Sequence, residues 1–191
     1  MVPLLVACLV HGQPNVEKVS LKIAADTVID RQSPDANAGR EPVLKVGDGR
    51  VLLIRFPELG TRYGAGKRVK SAVLTLSLAG STAHALVSVN KILKPWEEGG
   101  VFKQAFDDAV SVTQIGDATW NSAMKGVLNW GKPGVRGEDD YELLPEIKST
   151  STDGRIVFTG LERAVQSFVI AQSVSTIPSK PYRPRSTSVS S

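Results

Sequence analysis

The sequence predicts an all-β fold, an antiparallel sandwich or barrel. Three observations carry that prediction. Val19–Ile23, Val69–Leu78 and Ala85–Leu93 alternate apolar and polar residues, the period-two signature of a half-buried strand. Val51-Leu52-Leu53-Ile54-Arg55-Phe56 is a short, nearly continuous apolar run closed by Pro57, too short for a buried helix and suited to a central strand. The 17 glycines and 11 prolines fall largely between such runs, as turns joining many short strands require.

Taken in order, the chain opens with an apolar run, Leu4 to Val10, followed by His11-Gly12. Residues 1–12 fit a short export signal or its remnant, although no Lys or Arg precedes the run. Leu5-Val6-Ala7-Cys8 also fits a lipoprotein box with Cys8 as the anchor, and an apolar first strand is the other reading. A domain is expected over 19–170. Ala25–Asp30 continues the strand pattern, and Ser33-Pro34-Asp35-Ala36-Asn37-Ala38-Gly39 is a dense turn segment. Val43–Val46 reads as a short strand ended by Gly47-Asp48-Gly49. In Val69–Leu78 the alternation is the cleanest in the chain, except that Ala72 falls out of phase. Residues 95–145 hold all three tryptophans and read as long loops with one helical turn near Phe102–Asp108. Ile156–Phe158 reads as a strand. Leu161, Ala164, Val165, Phe168 and Val169 repeat at helical spacing. Ser, Thr, Pro and Arg dominate 171–191, the composition of a disordered tail.

Composition excludes several classes of function. The net charge is +4, yet four of the 23 basic residues follow Glu162, the last acidic one, so 19 bases face 19 acids up to that point. A neutral body is not what a nucleic-acid-binding face needs. One cysteine excludes an internal disulfide, and two histidines, His11 and His84, exclude a His-rich metal cluster. No run approaches the ~20 apolar residues of a membrane-spanning helix.

Ala25-Asp26-Thr27-Val28-Ile29-Asp30, Pro34-Asp35-Ala36-Asn37-Ala38-Gly39, Leu44-Lys45-Val46-Gly47, Leu52-Leu53-Ile54-Arg55-Phe56 and Val69–Leu76 occur in that order. Trp96-Glu97-Glu98-Gly99 and Ala118-Thr119-Trp120-Asn121 follow. In order and spacing these stretches resemble the DNRLRE-type domain, also described as carbohydrate-binding module family ninety-six, from about residue 20 to about residue 170. The resemblance implies a jelly-roll-like β-sandwich in a secreted or cell-surface bacterial or archaeal protein. It implies a non-catalytic module for a polysaccharide, acidic ones such as alginate included, acting as a monomer. The alternative is a structural or spacer sandwich. The chain departs from the family pattern at Ala38, where an aromatic is usual. It departs again after Gln166, where an N-Y-G-like turn and a last strand are expected and Pro178-Ser179-Lys180-Pro181 stands instead. The sandwich is therefore expected to lack its last strand, and with it one edge is left open.

Asp26, Asp30, Asp35 and Asn37 place oxygen ligands along one strand and turn, as a calcium site requires. Asp and Asn also build turns by bonding nearby amides, so both readings stand. Trp130, between Asn129 and Gly131, is expected to expose its ring for stacking on sugar, whereas Trp96 and Trp120 are expected to anchor loops. Lys22, Lys45, Arg50 and Lys70, with Arg55 and Lys91, form either a basic face for carboxylates or a solvated outer face. Arg55, inside an apolar run, calls for a partner carboxylate. Glu97, Glu98, Glu138, Asp139 and Asp140 are the acids that glycoside hydrolysis would draw on, but acidic loops are usually only solvated. His84 has no nucleophile motif around it.

Overall fold

The computed structural model describes residues 4–10, 16–39, 41–47, 49–56, 67–79, 87–99, 114–152 and 154–174, with side chains omitted for 4–10, 152 and 169–174. These residues form antiparallel sheets and one helix. The helical turn expected near Phe102–Asp108, His11, His84 and the tail from residue 175 lie outside them.

The largest sheet has five strands in the order β10 (Lys148–Thr152), β11 (Arg155–Thr159), β5 (Arg68–Ser77), β1 (Leu4–Val10) and β2 (Val16–Leu21). Leu4–Val10, the apolar run of the chain start, is thus a strand. Its register places Leu5 between Leu21 and Leu74, and Cys8 between Lys18 and Ser71. Opposite Cys8 and Leu9 the partners on β5 are Ser71 and Val69, so Lys70 is one extra residue, a β-bulge. The bulge explains the phase slip in the sequence. It resets the alternation so that Val69, Ala72, Leu74 and Leu76 all face one core.

That core adds Val19 and Leu21 of β2, Phe158 of β11, and Leu161 and Val165. Phe158 is fully buried, and truncating such a side chain to Ala costs about 3–5 kcal/mol. Val165 belongs to α1 (Glu162–Val174), and the Val165 amide donates to the Leu161 carbonyl at the start of its first turn. The helix continues past residue 170 to Val174, four residues beyond the expected domain end.

A second layer is the hairpin of β3 (Ala25–Asp30) and β4 (Arg50–Arg55). Apolar residues lie on both of its faces, which is why β4 reads as a nearly continuous hydrophobic run. Leu52 and Ile54 pack against the core of the five-stranded sheet. Ala25, Ile29 and Leu53 pack on the other side with Trp96, Trp120 and Trp130. The segment Val43–Val46 is not a strand. Leu44 alone is drawn inward, against Val28 and Ala38, while Val43 and Val46 stay exposed.

The loop-rich half carries two short strand pairings: β6 (Asn90–Ile92), within the strand expected over Ala85–Leu93, with β9 (Tyr141–Leu143), and β7 (Ser122–Met124) with β8 (Leu128–Asn129). Among the described strands β4 pairs only with β3 and β6 only with β9, so each leaves one edge unpaired. No helix among the described residues is long and apolar enough to cross a membrane.

Candidate functional site

The turn after β3 is held by distant groups. Asp30, 1% exposed, accepts the Gln32 amide at 2.8 Å through Oδ1 and Arg50 Nε at 2.8 Å through Oδ2. Asn37, 2% exposed, donates from Nδ2 to the carbonyls of Glu98 and Ala118 and accepts the Gly39 amide through Oδ1. A hard cation would have to compete with the Arg50 guanidinium for Asp30 and with an amide for Asn37. Asp35 is exposed, and Asp26 is half-buried with its carboxyl raised above the usual range by burial. Among the described residues no three His, Cys, Asp or Glu side chains gather to hold a metal. Through these bonds Asp30 and Asn37 build the turn.

Trp130 is not an exposed platform. It is 4% exposed, and its indole Nε1 donates to the Thr119 carbonyl at 2.9 Å. Asn129 and Gly131 mark the turn beside it, but the ring itself closes the core of the loop-rich half. Trp96 and Trp120 are buried loop anchors, as expected.

Asp140 organises the next loop. Its side chain is completely buried and accepts the amides of Gly131 and Gly137 at 2.7 Å, the Lys132 amide at 3.3 Å, and Lys94 Nζ at 2.7 Å. Burial favours the neutral acid, but the bonds from Gly131, Lys94, Gly137 and Lys132 outweigh it and hold the carboxyl below its usual range. All four partners are structural, so Asp140 is no candidate acid or base. Within this loop Gly134 and Val135 both adopt left-handed backbone, with φ of 78° and 58°. The turn brings the Arg136 guanidinium over the Trp120 ring, 5.3 Å from its centroid.

Between the hairpin, the five-stranded sheet, β6 and α1 lies a cavity of about 1390 Å³. Every residue of β4 lines it, as do Leu74 and Leu76 of β5, Ile156 and Phe158 of β11, and Phe168 of α1. Six basic residues line it as well: Lys45, Arg50, Arg55, Lys91, Lys94 and Arg136. No acidic residue stands among its described lining. Four of these cations hold carboxylates that lie outside the lining, two of them buried and two partly or largely exposed. Arg50 pairs with Asp30 and Lys94 with Asp140, both buried; Lys91 pairs with Glu142 and Arg55 with Glu97, each at 3.2 Å. The partner expected for Arg55 is therefore present but exposed, and the guanidinium also donates to the Trp96 carbonyl at 2.9 Å and lies 5.3 Å from the Trp96 ring centroid. Arg136 donates to the Pro133 carbonyl and has no ion pair among the described residues.

Of the basic residues singled out in the sequence, Lys45, Arg50, Arg55 and Lys91 come together here. Lys22 and Lys70 are exposed and line no part of the cavity, Lys70 being the bulge residue of β5. The sequence reading missed Lys94, Arg136 and Phe168. Phe168, 44% exposed, has Lys91 Nζ 5.6 Å from its ring centroid and lines the cavity together with the half-buried Phe56 and Tyr141. No local signal marks these three; only the fold brings them to one wall.

No protein-family model, no curated protein and no solved structure matches this chain.

Proposed function

We propose that the domain is a non-catalytic module that binds an acidic polysaccharide outside the cell, on a jelly-roll-like sandwich of the DNRLRE type. The observation that carries this reading is the wall of six basic residues with no acid among its described lining. Uronate carboxylates are matched by guanidinium forks and ammonium groups through charge-assisted hydrogen bonds. The Arg55–Glu97 pair is exposed on both sides, and pairs of that kind contribute only about 0–1 kcal/mol, so a ligand carboxylate can take the place of Glu97. The edge of β4 that pairs with no other described strand supplies amide donors and carbonyl acceptors for hydroxyls. The groove is built within one chain, so a monomer suffices. The candidate acids argue against catalysis: Asp140 is locked, Glu97 is held by Arg55, and Glu138 and Asp139 are exposed.

Export is part of the same proposal and rests on the resemblance. It has a structural consequence. Leu4–Val10 lies between β2 and β5, so a chain cut after residue 12 would need another strand in that place. Terminal sequencing of the protein recovered from the medium locates the cut.

Affinity electrophoresis tests the ligand. Retardation in a gel holding alginate, and free migration in a neutral glycan gel, supports the proposal. Free migration in every acidic glycan gel sinks it and leaves a spacer sandwich, the reading that the buried tryptophans favour.

A further inference from the structure

The β3–β4 hairpin and the β6–β9 pair each have a face on both cores. Leu52 and Ile54 of β4, and Val87 and Val89 just before β6, pack against the core of the five-stranded sheet. Leu53 of β4 and Ile92 of β6 pack with the tryptophans. The two pairs therefore lie in one layer. Both β4 and β6 line the cleft, and no described strand joins them.

The ladder bonds show which way the peptide groups point. The Arg31 amide bonds to the Gly49 carbonyl, and the Val28 carbonyl accepts from Ala38, on the side away from β4. Bonded and non-bonded pairs alternate in an antiparallel ladder, so Val51 and Leu53 face β3, while Leu52 and Ile54 turn their N–H and C=O groups away from it. On β6 the Leu93 amide bonds to the Asp140 carbonyl, so Lys91 faces β9, while Asn90 and Ile92 turn away. Among the described residues no backbone group bonds to these four on their outward sides. Outward edges of this kind accept a further strand. Here two of them share one layer and one cleft of about 1390 Å³. A six-residue strand, at the usual strand and sheet spacings, fills roughly 1000 Å³. The open, partly polar character of the cleft suits such a guest, which carries peptide groups along both sides and side chains alternately toward the five-stranded sheet and toward solvent.

We infer that the cleft is a docking slot for a β-strand of another polypeptide, paired with Leu52 and Ile54 on one side and with Asn90 and Ile92 on the other. Residues 175–191 do not suit the part: Pro178, Pro181 and Pro184 have no amide to give, and beyond them Val189 is the one apolar residue. The docked strand joins β3, β4, β6 and β9 into one sheet that faces the five-stranded one. The inference is independent of the glycan reading, and a docked strand excludes a glycan from the cleft.

The full chain is titrated with a peptide that alternates threonine and valine over seven residues, and with the same peptide N-methylated at its valines. Hydrogen exchange of the Leu52, Ile54, Asn90 and Ile92 amides is followed by NMR. In the chain alone these four are expected to exchange rapidly, and with the peptide at least tenfold more slowly. The methylated peptide is expected to bind tenfold or more weakly, because its donors to one edge are gone. Ile54→Pro removes one outward amide and keeps the bonds to β3, a place where a strand tolerates proline, and Ile92→Pro does the same on β6. Each, if folded, is expected to weaken the peptide at least fivefold; the exchange and methylation results decide where neither folds. Slow exchange of the four amides in the chain alone overturns the inference, because its own residues then fill the slot. So do an absence of peptide binding, protection along one edge only, and equal binding of the methylated peptide.

Discussion

Gln166 accepts the amide hydrogen of Val69 through Oε1 at 2.7 Å, so a helix side chain stands where a neighbouring strand would be. Gln166 Nε2 also donates to the Lys67 carbonyl at 3.1 Å, and Glu162, one turn earlier, accepts the Ala72 amide at 3.1 Å. The need arises because β11 pairs with β5 only from Leu74 to Ser77. Below that point this edge of β5 has no partner among the described strands, and the Val69 and Ala72 amides bond to the helix instead. Leaving buried amides unpaired costs about 1–3 kcal/mol each. Gln166→Ala is therefore expected to lower unfolding free energy by about 1–3 kcal/mol in urea titration. Gln166→Glu, which keeps the acceptor and loses the donor, is expected to lose less.

The Asp140 carboxylate gives the fold a marked acid limb. Its folded value is depressed relative to the unfolded chain, so its contribution is full above the ordinary aspartate value of 3.8 and is lost as pH falls through the lower folded value. Asp140→Asn keeps the shape but turns an amide donor toward the donors of Gly131, Gly137 and Lys94. Breaking a buried pair of this sort costs about 3–5 kcal/mol. The variant is expected to be destabilised by that amount at neutral pH, and the gap between the two proteins is expected to narrow as pH drops below 3.8 in denaturant titrations. A constant gap down to pH ~2 would show that folding does not depress the Asp140 carboxyl.

Gly134→Ala probes the loop that carries Arg136. The added Cβ falls on the Trp120 ring, and the φ of 78° is one that side chains rarely adopt. Backbone strain and overpacking each cost about 1–3 kcal/mol. The variant is expected to unfold at lower denaturant by about 3 kcal/mol. Its near-ultraviolet dichroism is expected to change because the Trp120 ring must move. An unchanged spectrum would mean that the loop gives way instead.

The parts of this fold that were legible in the sequence are those set by local periodicity. β2 and β5 show in their apolar alternation, β4 in its continuous apolar run, β3 and β11 as short strand-like stretches, and α1 in its helical spacing. Ala72, out of phase in the sequence, was the mark of the bulge, but only the register with β1 locates the extra residue at Lys70. What stayed hidden depends on partners far along the chain. Nothing near Asp30 in the sequence announces the bond from Arg50, and nothing near Asn37 announces its bonds to Glu98 and Ala118. Trp130 looked exposed from its polar neighbours, but the Thr119 carbonyl and the hydrophobic cluster around it lie across the loop. The groove is the extreme case. Its cations come from the 43–47 segment, β4, β6 and the residues just after it, and the turn at 133–136, and no motif links those positions.

Charge placement separates two sets of basic residues and provides the sharpest check on the groove. Lys45 and Arg136 line the cavity, while Lys22 and Lys70 sit on exposed surface outside it. All four carry one positive charge, so a ligand attracted only by net charge would treat them alike. A ligand seated in the cavity would not, because solvated charges separated by more than about 8 Å are largely screened at physiological salt. Exposed pairs contribute about 0.2–1 kcal/mol and reversal roughly doubles the effect, so Lys45→Glu and Arg136→Glu are each expected to weaken binding of an acidic glycan about fivefold. Lys22→Glu and Lys70→Glu are expected to leave it within about twofold of the parent. Affinity electrophoresis at two salt concentrations reads the difference, with the parent losing more affinity on added salt than the Lys45→Glu, Arg136→Glu double variant. Equal losses from all four substitutions would mean that the glycan feels the overall charge of the molecule, and the cavity would then have no part in binding it.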